Sequence, residues 1–108
     1  MLGKTVKVIV DRPLGSAHPE YPNMIYHVNY GYVEGIIVPD GEEQDAYILG
    51  INIPVSSFEG RIIAIIHRKD DVENKWVVAP ENTLFTKEEI KNLTHFQEKY
   101  FDIEIITE

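Results

Sequence analysis

The sequence predicts a mainly β chain with one C-terminal helix, the strands forming a small, strongly curved sheet or barrel. Short alternating or wholly apolar runs recur up to Ala79, separated by turn-forming residues. One of them, Arg61 to Arg68 (RIIAIIHR), is apolar on both faces and reads as a central strand, with Ile65 in its core. Beyond Thr86 the apolar spacing changes to that of a helix, and a helix packed on a curved sheet completes a small core.

Each element follows from its residues. Lys4 to Val10 alternates, with Val6, Val8 and Val10 on one face, which is a half-buried strand. The stretch DRPLGSAHPEYPN is rich in Pro and Gly and forms a loop. Tyr26 to Val33 (YHVNYGYV) is an aromatic strand whose Gly31 marks a bulge or a close backbone approach, and Gly35 to Val38 extends the pairing. Ala46 to Ile53 is the next strand. Lys75 to Ala79 follows the central strand through the polar turn KDDVEN. Thr86 and Glu89 form a capping box for a helix from Lys87 to about Tyr100, with Ile90, Leu93, Phe96 and Tyr100 on its apolar face. Ile103 to Ile106 returns as a last short strand, and the helix is expected to cover one opening of the barrel.

Bulk properties exclude several functions. A chain of 108 residues with 44% hydrophobic and 26% charged residues is expected to be one compact domain, residues 1–108. Its net charge is −8 with no basic cluster, which argues against nucleic-acid and anionic-membrane partners. An acidic protein binds phosphates most readily through metal ions. Without cysteine there is no disulfide, thiolate metal site or thiol redox centre. The N-terminus lacks a signal-peptide core and no run reaches transmembrane length, so the expected location is cytoplasmic. The sequence leaves a homo-oligomer open.

Chemistry concentrates in two acidic groups. Asp40, Glu42, Glu43 and Asp45 (PDGEEQD) directly precede a strand, and a turn at Gly41 would fold Asp40 back toward Asp45. Asp70, Asp71 and Glu73 lie between the strongest strand and the next. Either group is a solvated turn or holds a cation. If the strands are neighbours, both groups meet at one end, and carboxylates there would suit a hard cation such as Mg²⁺. Lys75 with Arg61 or Arg68 would then hold a phosphate, with Tyr26, Tyr30 and Tyr100 as hydroxyl donors. The pattern has no EF-hand loop, P-loop or G-x-G-x-x-G. His18, His27, His67 and His95 lack zinc-ligand spacing, and no serine has a nucleophile-elbow context.

Three stretches, in order, carry a family resemblance. MIYHVNYGYVEGIIVPDGEEQDAYIL resembles the central block of soluble family I inorganic pyrophosphatases, roughly Y-P-x-N-Y-G-Y/F-I and then D-G-D-P-x-D-V-L-V. GRIIAIIHRKDDVENKWVVAP is similar to the next block, a strand, an acidic turn, D-x-K and A-V-P. HFQEKYFDIE is similar to the C-terminal H-F-F-x-x-Y-K-D-L-E. The resemblance covers about Met24 to Glu104. It implies a five-stranded OB-like β-barrel and Mg²⁺-dependent hydrolysis of pyrophosphate to two phosphates. It further implies metal ligands at Asp40, Asp45, Asp70, Asp71 and Glu73, with Asp45 bridging two ions. Glu42 would stand where the family has the aspartate that accepts the proton of the attacking water. Lys75, Tyr26, Tyr30 and Tyr100 would line the phosphate sites, with Arg12 as a further phosphate ligand. The chain departs from the pattern at Glu42, one methylene longer than aspartate, at Phe101 in place of a lysine, and in lacking the N-terminal K-x-E hairpin. A second reading of the same residues is a non-catalytic pyrophosphatase-like module that binds a phosphorylated ligand or a partner protein.

Overall fold

The computed structural model describes residues 2–39, 41–71 and 73–108. The chain folds as β1 (Thr5–Arg12), β2 (Asn29–Ile37), β3 (Glu43–Ile48), β4 (Ser57–Arg68), β5 (Asn74–Ala79), α1 (Lys87–Glu98) and β6 (Ile103–Thr107). The strand order is β1-β2-β3-β5-β4-β6, and β1 also pairs with β4. That extra pairing, through Val8↔Phe58 and its neighbours, closes five strands into a barrel and leaves β6 outside it on β4. All neighbours are antiparallel except β3 and β5, which run parallel.

The central strand behaves as its composition dictates. Over its length β4 pairs with β1, β5 and β6, and Ile62, Ile63, Ala64 and Ile66 are buried. Ile65, expected in the core, is only half-buried; Ile66 is the fully buried isoleucine beside it. Alternation sorts the apolar residues into two clusters. Val8, Val33, Ala46, Ile48, Ile62, Trp76 and Val78 come from all five barrel strands and fill the barrel. Tyr30, Tyr47, Ile63, Val77 and others from the opposite strand faces pack on Ile90 and Phe96 of α1. The helix therefore lies along the wall of the barrel and does not plug an opening.

Gly31 shows why a glycine interrupts the aromatic strand. A Cβ there would lie 1.9 Å from the Ile9 carbonyl oxygen on β1, so the two backbones meet only where no side chain intervenes. β1 answers with a register shift between Val10 and Arg12, which sets Arg12 opposite Tyr30. Both parts of the expectation for this glycine, bulge and close approach, therefore hold at one crossing.

The helix begins as read. Thr86 accepts from the Glu89 amide while the Glu89 carboxylate accepts from the Thr86 amide. It ends at Glu98, and its apolar face differs from the expected one. Ile90, Thr94, Phe96 and Glu98 are buried, whereas Leu93 and Tyr100 are exposed. Thr94 is accommodated because its hydroxyl donates to the Ile90 carbonyl, and Glu98 because it has a cationic partner.

Candidate functional site

Pairing of β3 with β5 decides where the charges meet. The register Ala46↔Trp76 places Asp45 beside Lys75 at the same end of two adjacent strands. The Lys75 ammonium, buried itself, donates to Asp45 Oδ2 at 2.5 Å and to Glu73 Oε1 at 2.7 Å. One member of each acidic group, Asp45 and Glu73, meets the other, and a lysine sits between them. Lys75 therefore neutralises Asp45.

Lys75 and Asp45 form part of a cleft of about 1240 Å³. Arg12, Tyr26, Tyr30 and Tyr100 line it too, as does Arg68, whereas Arg61, the other arginine considered for phosphate, does not and pairs with Glu108. Arg12 reaches it through the register shift in β1, and its positive charge opposes the rise that burial gives the Tyr26 pKa. Tyr26 stacks on Tyr30 with ring centroids 5.5 Å apart, and the Lys75 ammonium lies 5.6 Å from the Tyr30 ring centroid. Tyr100 stands at the rim, 67% exposed. Burial raises the pKa of Tyr26, and burial followed by the Asp45 charge raises that of Tyr30 well above the ordinary phenol value. Both hydroxyls are therefore protonated donors at neutral pH.

The remaining acidic residues lie elsewhere. Glu42, Asp45 and Glu73 border a second, smaller hollow of about 530 Å³, so the two spaces meet at Asp45. Glu42 is exposed just after the turn at Gly41. Asp70 and Asp71 are exposed at the tip of the β4–β5 hairpin and line neither hollow. Asp40 lies outside the described residues.

These placements bear on Mg²⁺. Among the described residues, no group of three or more acidic or histidine side chains could hold a metal ion. Asp45 and Glu73 supply the one or two carboxylates that a largely hydrated Mg²⁺ takes, and both already hold one cation, Lys75. Among the described residues, Asp45 and Glu73 fit a single ion that competes with Lys75.

One buried network escaped the sequence reading. Arg68, 5% exposed, donates from Nε and Nη2 to the Glu98 carboxylate at 3.0 and 2.7 Å. Tyr47 donates to Glu98 at 2.6 Å and accepts from Gln97 at 2.7 Å, and Gln97 accepts from the Tyr26 hydroxyl at 3.0 Å. This chain of bonds ties α1 and β4 to the wall of the cleft. Burial pulls the Arg68 pKa down, but the hydrogen bonds and charge of Glu98 outweigh it and the net shift is upward. Burial, and then Glu98, push the Tyr47 hydroxyl well above its usual value. The Arg68 guanidinium also stacks 3.6 Å from the centre of the Phe101 ring, at the position where the resemblance expects a lysine. The signal in the sequence was Ile90, Thr94 and Glu98 at successive i+4 spacing, which puts a carboxylate on the buried face.

The fold has clear counterparts. An inorganic pyrophosphatase from Ehrlichia chaffeensis superposes with a TM-score of 0.73 at 16% identity, over 99% of this chain and 88% of that one. One from Coxiella burnetii gives 0.68 at 17% identity, over 99% and 86%. One from Helicobacter pylori gives 0.63 at 15%, over 96% and 83%. No protein-family profile matches the sequence, and no curated protein does. At these identities the comparison establishes architecture: the chain has the five-stranded closed barrel with one helix of inorganic pyrophosphatases.

Proposed function

We propose that the cleft binds pyrophosphate, or another small phosphoanhydride, and that the protein hydrolyses it. The observation that carries this reading is the convergence of Arg12, Tyr26, Tyr30, Lys75 and Asp45 on one cleft of a pyrophosphatase-type barrel. Arg12 and Lys75 would make charge-assisted hydrogen bonds to phosphate oxygens, and Tyr30 would donate a neutral one, as would Tyr26 on turning its hydroxyl from Gln97. In the reaction a water oxygen bonds to one phosphorus, the bond from that phosphorus to the bridging oxygen breaks, and the second phosphate leaves with that oxygen. Glu42, across Asp45 on the adjoining hollow, would accept the water's proton. Asp45 and Glu73 would hold Mg²⁺, which when bound neutralises the anion and lowers the pKa of water. Lys75, displaced from those carboxylates, would turn to the phosphate. Composition, with no cysteine, agrees with a cytoplasmic protein folded as one domain.

One observation favours the second reading, a binding module without turnover: Lys75 already occupies the carboxylates that a metal would need. A single experiment separates the two. Phosphate release from pyrophosphate is measured with and without Mg²⁺ for the parent and for Asp45→Asn. Hydrolysis predicts Mg²⁺-dependent release that falls by about 10²-fold or more in the variant. Thermal stabilisation by pyrophosphate with no release at any Mg²⁺ concentration establishes the binding module instead.

A further inference from the structure

The cleft holds more than a pyrophosphate can use. Its volume of about 1240 Å³ exceeds the roughly 300–1,000 Å³ typical of sites for drug-sized ligands. Two properties of its lining suggest what else enters.

The first is charge. On a chain of net charge −8, the cleft gathers four of the ten Lys and Arg residues and three of the four histidines. Only three of the eighteen acids line it among the described residues. Lys75 and Arg68 are held by Asp45, Glu73 and Glu98, so Arg12 and Lys99 are the lining cations that the buried pairs leave for an incoming anion.

The second is aromatic surface. His18 stacks toward Tyr26 at 6.2 Å and meets Tyr21 at 5.0 Å, and His27 stacks on Phe96 at 5.0 Å. Tyr21 is 64% exposed, and it comes from the β1–β2 loop, whereas Tyr100, 67% exposed, follows α1. Two large, mostly exposed rings from separate parts of the chain therefore border the same cleft. Inorganic pyrophosphate is carbon-free and gives these rings nothing to cover. A nucleobase does, because every base presents a π-face to a stacking ring.

We propose that the ligand of this cleft is a nucleoside diphosphate, with its phosphates toward Arg12 and Lys75 and its base on the Tyr21 side of the mouth. This rests on the reading of the cleft as a phosphoanhydride site and adds the organic half of the ligand.

The test is calorimetric titration of the full chain, in the same Mg²⁺-containing buffer, with adenosine diphosphate and with pyrophosphate, each in the form whose bridging oxygen is replaced by NH so that no turnover occurs. The expected result is that adenosine diphosphate binds about tenfold tighter than pyrophosphate, and that Tyr21→Ala removes that advantage while leaving pyrophosphate affinity within about twofold. Tyr21→Trp, which restores a ring, should recover the advantage. Adenosine diphosphate binding no tighter than pyrophosphate overturns this inference and leaves the phosphoanhydride site standing. Equal weakening of both ligands by Tyr21→Ala also overturns it, since the residue would then be shaping the site and not reading a base. Failure of both ligands to bind overturns this inference together with the reading beneath it.

Discussion

Removing the Glu98 carboxylate should cost more than any other single polar deletion in the molecule. Its side chain is 1% exposed, and it holds Arg68 through two hydrogen bonds while accepting a third from Tyr47. In Glu98→Ala the Arg68 guanidinium keeps its burial and loses both bonds, retaining the stack on Phe101 and a contact to Glu73 at 3.6 Å. A buried lysine or carboxylate in that position could shed its charge, but a guanidinium stays protonated. Breaking one side of such a pair costs about 3–5 kcal/mol. At about 4 °C per kcal/mol for a chain of this size, the midpoint falls by roughly 12–20 °C. The assay is urea unfolding followed by the fluorescence of Trp76, the single tryptophan, which is buried in the barrel. The reasoning also fixes the sign of a second variant. Arg68→Met with Glu98→Leu removes both charges and should recover most of the loss, because apolar replacement of a whole buried pair is often neutral or better. A loss below about 1 kcal/mol in Glu98→Ala, or a double variant no more stable than the single, would refute the electrostatic account.

The remaining predictions concern the scaffold and its pH range. Gly31→Ala forces apart the β1–β2 crossing, since the added carbon meets the Ile9 carbonyl, and should destabilise by about 1–3 kcal/mol or more in the same unfolding assay. Ile66→Ala should cost about 2–5 kcal/mol and Ile65→Ala distinctly less, because only Ile66 is fully buried; equal costs would contradict the assigned faces of β4. At high pH, Tyr26, Tyr30 and Tyr47 hold their protons more tightly when folded than when unfolded. Their contribution is complete below about pH 10, the unfolded phenol value, and is lost as pH rises through the higher folded values. Thermal midpoints should therefore decline above about pH 10, and less steeply in Tyr47→Phe.

How far the sequence could be read depended on whether apolar patterning carried the information. β4 announced itself through residues 62–66, a stretch bonded on both sides and largely covered on both faces, which is therefore apolar. The capping box was equally legible, since Thr86 and Glu89 reach each other through bonds local to one turn. The helix face was misread because two of its buried positions are polar: Thr94 satisfies itself on its own helix, and Glu98 depends on Arg68, a residue thirty positions away. No count of hydrophobic residues contains that pair. The site shows the same division. Asp45, Glu73 and Lys75 meet because β3 and β5 are neighbours, which the acidic loops suggested. That the lysine would sit between the carboxylates, and that Asp70 and Asp71 would face solvent at a hairpin tip, follows from register and turn geometry. Arg12 reaches the cleft only through a shift in β1 that depends on the partner strand.

Binding of a pyrophosphate analogue tests the central claim most directly. Calorimetric titration with Mg²⁺ and imidodiphosphate, whose NH bridge prevents turnover, should give saturable binding to the parent and at least about tenfold weaker binding to Arg12→Ala, which loses a charge-assisted hydrogen bond without touching the Asp45–Lys75–Glu73 cluster. No saturable binding to the parent, or an affinity unchanged in Arg12→Ala, would contradict the assignment of this cleft to a phosphoanhydride.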